Sequence, residues 1–92
     1  MSKRIAIVTR ERQAEAIRIA SGLLLLGDEA EVFVPGTLFQ EDDATVAQLK
    51  ICAEFDLPVY SSHPEAPEAL RLSPDELAQK LSTFERILPI LP

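Results

Sequence analysis

Four short apolar runs, alternating with three stretches of helical periodicity, leave this 92-residue chain few folds to choose from. The first run, Arg4-Ile5-Ala6-Ile7-Val8-Thr9, is apolar and β-branched, as strands buried on both faces of a parallel sheet are. Over residues 11–26 apolar side chains recur at helical spacing (Ala16, Ile17, Ala20, Leu23, Leu24), while Arg12, Glu15 and Arg18 supply a wet side. Gly27 then stands where a left-handed residue commonly ends a helix. Residues 31–34, Glu-Val-Phe-Val, read as a second strand closed by the turn pair Pro35-Gly36, and residues 37–43 as a loop. Asp42 or Asp43 can cap a second helix over residues 44–55, with Val46, Leu49 and either Cys52 or Ala53 facing inward.

Leu57-Pro58-Val59-Tyr60 reads as a third strand, its proline tolerable near the strand's beginning. Residues 61–72 form a polar loop with Pro64 and Pro67, long for a connection in so small a chain and therefore marked as functional or mobile. Ser73-Pro74-Asp75-Glu76 combines a capping serine, a proline at the first helical position and a glutamate placed to close a capping box. The helix it starts buries Leu77, Leu81 and Phe84, and residues 86–91 supply a last strand that Pro89 assigns to a sheet edge.

Alternation of this kind predicts one α/β domain over residues 1–92: a four-stranded parallel sheet between helices in a three-layer α/β/α arrangement, in the order 2-1-3-4. The core must be thin, because a chain this short buries only about 60–65% of the surface its unfolded form exposes. With 47% hydrophobic and 26% charged residues the composition is nonetheless that of a folded protein.

A formal charge of −6, with the basic residues scattered, argues against a nucleic-acid partner. The longest aliphatic run, Leu23 to Leu26, is far below the about 20 residues that span a bilayer. The apolar run after Lys3-Arg4 passes quickly into Thr9-Arg10-Glu11-Arg12, too short and too charged for a secretion signal. With a single cysteine, Cys52, which cannot form an internal disulfide, these features predict a cytoplasmic protein.

The predicted strand order reverses between strands one and three, where ligands of open α/β sheets settle. Thr9, Arg10, Ser61, Ser62 and His63 would meet there and could hold a small anion; the same residues also read as ordinary solvated loop positions. His63 could shuttle a proton, although no partner carboxylate is evident. Cys52 is the one candidate for thiol chemistry, but a free cysteine on a helical stripe after Leu49 is more often a small core hydrophobe than a nucleophile. One histidine and one cysteine define no metal site, and Gly22, Gly27 and Gly36 are too dispersed for a phosphate loop, so no cofactor is expected. Leu23 to Leu26 cover a full helical turn, so part of that turn must point away from its own sheet, which suggests burial against a partner subunit.

Residues 4–9, the helix over residues 14–26, Asp28-Glu-Ala-Glu-Val-Phe-Val34, Leu57-Pro-Val-Tyr60 and the helix and strand over residues 73–91 together resemble the DsrE/DsrF/DsrH-like family of small proteins of intracellular sulfur relay. The resemblance spans nearly the whole chain. It implies a flavodoxin-like domain that assembles into homo-oligomers, or into hetero-oligomers with related relay subunits. Sulfur-carrying members hold a persulfide on a cysteine just after the third strand; the matching stretch here is Tyr60-Ser61-Ser62-His63, and Cys52 lies one helix earlier. In its shortness the chain is more similar to the DsrH or TusB type of subunit, which implies a non-catalytic assembly role. The alternatives are a sulfurtransferase-type carrier acting through Cys52 and a small-anion-binding domain.

Overall fold

The computed structural model describes residues 3–90. In chain order the elements are β1 (Arg4–Thr9), α1 (Gln13–Leu25), β2 (Glu29–Val34), α2 (Asp43–Glu54), β3 (Val59–Ser61), a 3-10 turn (Glu68–Leu70), α3 (Pro74–Leu81) and β4 (Arg86–Ile90). All strand pairs are parallel, as the alternation predicts. Among the described residues no helix is long and apolar enough to cross a membrane.

The sheet order is β3-β2-β1-β4, which corrects the expected 2-1-3-4. The reason lies in β2. Val32, Phe33 and Val34 are all buried, a state open only to a strand with helices over both faces and neighbours on both edges. The third strand therefore pairs with the second (Val32↔Val59, Phe33↔Tyr60, Val34↔Ser61), not with the first. β4 takes the other side of β1, with Ile7 opposite Leu88 and Val8 opposite Pro89, so the proline lies on an edge strand as expected.

Helix placement follows from that order. The path β1-α1-β2-α2-β3 advances in one direction, and right-handed crossovers then put both helices on the same face. Ile5, Ile7, Val32, Val34 and Val59 accordingly meet Ala16, Ile17, Ala20 and Cys52 in one core cluster. From β3 the chain must return past two strands to reach β4, which reverses the direction and places α3 on the opposite face. There Leu77 and Phe84 pack on Ala6 and Phe33, with Tyr60 and Leu81 beside them. The long segment after β3 is this return path, and it is built: Leu72 N donates to Ser61 O at 2.9 Å, and Arg71 donates to the carbonyls of Pro64 and Ala66.

Local signals translate closely. Asp42 caps α2, its carboxylate accepting from Thr45 N at 2.8 Å. Ser73 and Glu76 form both bonds of the capping box. Gly27 and Gly36 take the positive φ values, +89° and +62°, that their turns require. Boundaries move by a residue or two: α1 begins at Gln13 and β2 at Glu29, while β3 starts after Pro58. Val46, expected inside, is exposed, because α2 turns Thr45 toward the core in its place; Cys52, of the expected pair Cys52 or Ala53, is the buried one. Leu91, placed in the last strand by the sequence, lies outside the described residues.

Candidate functional site

With β2 inserted between β1 and β3, the five residues expected to meet at one crevice divide into two groups. Two strand spacings separate the ends of β1 and β3, about 10 Å. Around β3 the polar side chains are spent on the local turn. Ser61 Oγ is buried, donates to Thr37 O at 2.6 Å and accepts from His63 N at 3.1 Å. Ser62 Oγ accepts from Gly36 N at 2.7 Å. His63 Nδ1 accepts from Glu65 N at 3.0 Å, which in a neutral ring leaves the proton on Nε2. A shallow cavity of about 540 Å³ beyond them is lined by Ser62, Glu68, Arg71 and Ser73 among others. Its charged and hydroxyl groups are largely engaged in the Arg71 and capping-box bonds already described.

Thr9 and Arg10 sit instead where β1 meets β4. A cavity of about 380 Å³ opens there, lined by Val8, Thr9, Arg10, Glu11, Pro35, Pro89 and Ile90. Gln13 fixes the loop above it. This side chain, 1% exposed, donates through Nε2 to the carbonyls of Arg10 and Leu38 and accepts at Oε1 from Gln40 N, so every bond holds loop backbone in place. Sequence reading passed over Gln13, yet it lies in phase with Ala16, Ile17 and Ala20, and a polar residue on an apolar stripe is the signal.

Cys52 is 4% exposed among Leu57, Val59 and other aliphatic side chains. Burial pushes its thiol up to about 11, so the thiolate needed for nucleophilic or persulfide chemistry is suppressed near neutral pH. No group of three or more His, Cys, Asp or Glu side chains suited to a metal occurs among the described residues.

The remaining feature is apolar. At the C-terminal ends of α1 and α2, Ser21, Leu24, Leu25, Ile51 and Phe55 line a groove of about 390 Å³. Leu25 is 90% exposed and Phe55 70%, and Leu26, at the end of α1, is 78% exposed. Leu23 and Leu24 pack inward, so the leucine turn divides as its helical phase requires. No family model, curated protein or solved structure matches the chain.

Proposed function

We propose that the chain is a non-catalytic assembly subunit that associates through the groove between the ends of α1 and α2. One observation carries this reading: Leu25, Leu26 and Phe55 stand in water beside a groove whose walls include Leu24 and Ile51. Burying each such side chain against a partner yields about 1.5–3 kcal/mol, and a clustered apolar patch is the usual mark of an interaction surface. The inaccessible thiol of Cys52 favours assembly over a sulfur carrier acting through that residue. Membership of a cytoplasmic sulfur relay, as a DsrE-like subunit pairing with copies of itself or with related subunits, rests on the sequence resemblance. The order β3-β2-β1-β4 differs from the flavodoxin-like order which that resemblance implies.

Size-exclusion chromatography with light scattering tests the proposal. Wild-type protein, alone or mixed with DsrE- and DsrF-type subunits, should run as an assembly, and the double variant Leu25→Glu/Phe55→Glu should run as a folded monomer. A strict monomer in every mixture, or a double variant that assembles like wild type, would overturn it.

A further inference from the structure

We infer that the crevice at the carboxyl ends of β1 and β4 binds a small organic monoanion, an apolar body carrying one carboxylate. The observed strand order supplies the first reason. β1, β2 and β3 advance one way and β4 lies on the other side of β1, so the order reverses between β1 and β4. Ligand crevices of open α/β sheets form beyond the strand ends at that reversal. The cavity of about 380 Å³ lies at this point.

Its lining supplies the second. Val8, Pro35, Pro89 and Ile90 make apolar walls, and the two prolines hold their backbone stiffly. Small-molecule sites combine such walls with a few fixed polar groups. Here those groups are Thr9, Arg10 and Glu11. Thr9 is 2% exposed, and its Oγ1 has no hydrogen-bond partner among the described residues. A buried hydroxyl left unpaired is a standing cost in the free protein; it is sealed from the crevice itself, so a ligand oxygen would relieve that cost through a small local opening beside Thr9.

Charge supplies the third. The Arg10 side chain is exposed at the rim with no hydrogen bond or ion pair among the described residues, while Gln13 anchors its carbonyl from below. A guanidinium so placed suits a carboxylate, which it can grip through two parallel bonds. The neighbouring carboxylate of Glu11 disfavours a second negative charge, and the apolar walls disfavour a bare inorganic ion.

The probe is benzoate, titrated into uniformly ¹⁵N-labelled full chain and followed by amide chemical shifts, with benzyl alcohol and inorganic phosphate in parallel. Saturable benzoate shifts are expected at the amides of Val8 to Glu11, Gly36 and Ile90. Benzyl alcohol should bind about tenfold more weakly and phosphate should not saturate. Arg10→Ala, a change at an exposed position, should weaken benzoate by about tenfold or more. Thr9→Val keeps the shape of the side chain and should weaken it less. Absence of saturable benzoate shifts at these amides, binding unchanged in Arg10→Ala, or phosphate binding as well as benzoate would each overturn the proposal. The α1–α2 groove is not involved, so a failed titration leaves the assembly reading standing.

Discussion

Beneath α1 and α2 the sheet meets a continuous aliphatic layer in which Ile5, Ile7, Val32, Val34 and Val59 face Ala16, Ile17 and Ala20; beneath α3 it meets a small aromatic staple. On that second face Phe33 sits between Tyr60 and Phe84, each at 5.6 Å between ring centroids, the Phe84 contact edge-on. Arg4 lies over Phe84 and Lys80 over Tyr60, and both cations approach Glu31, at 3.7 and 3.4 Å. The difference teaches how a thin core is closed. Two helices cover one face by area alone, with apolar surface to spare at their ends. A helix of eight residues, too short to be stable alone, holds the other through its cap and a few directional contacts. The α3 face should therefore open locally at lower free energy than the α1–α2 face.

The strongest attempt to break this comparison is Phe33→Ala, which removes the ring that both other aromatics touch. It should cost about 3–5 kcal/mol in urea unfolding. A loss below about 1 kcal/mol would mean that the aromatic staple does not close this face.

Cys52 probes the aliphatic layer. Cys52→Ser places a hydroxyl among aliphatic side chains and should cost about 1–3 kcal/mol. The native thiol should react with a thiol reagent only as fast as the protein unfolds. Burial raises its folded-state pKa from 9.0 to about 11, so its contribution to stability is complete below pH 9 and is lost as pH rises toward 11. Stability measured across that window should fall in wild type more steeply than in Cys52→Ala. Rapid native-state reaction would show that the layer is open.

Smallest is the α3 cap. Ser73→Ala should cost about 1 kcal/mol. Hydrogen bonds from the backbone and hydroxyl of Ser73 hold the Glu76 carboxyl below its usual range, and the Thr45 backbone and hydroxyl do the same for Asp42. Both caps therefore stabilise the fold above the ordinary carboxylate pKa values, and their contribution disappears as pH falls through the lowered ones. Amide exchange on acidification should rise in the first turns of α2 and α3, and Ser73→Ala, which keeps the bond from its backbone N–H to Glu76, should weaken the pH dependence in α3 alone. Equal dependence in both helices of the variant would separate the cap from the pH effect.

Local features were legible because they depend on residues near in sequence. Ser73 to Glu76 specify a cap within one turn, Gly27 a helix stop, and Pro89 an edge strand. Part of the candidate site was legible in the same way: Thr9 ends the first strand, Arg10 follows it, and both line a crevice. Ser61, Ser62 and His63 do not join them, because membership of that crevice depends on strand order. Gln13 escaped notice because two of its three partners, the backbone of Leu38 and Gln40, are more than twenty residues away.

Taken alone, the order of residues determined the alternation of strands and helices, the parallel sheet, the helix caps and an apolar turn with more leucine than its own sheet can cover. Tertiary structure decided which strand lies beside which. Handedness links the direction of each crossover to the face its helix covers, but leaves the direction itself to long-range pairing. That choice fell to Val32, Phe33 and Val34, whose burial on both faces required neighbours at both edges and so moved the reversal of the sheet to β1 and β4.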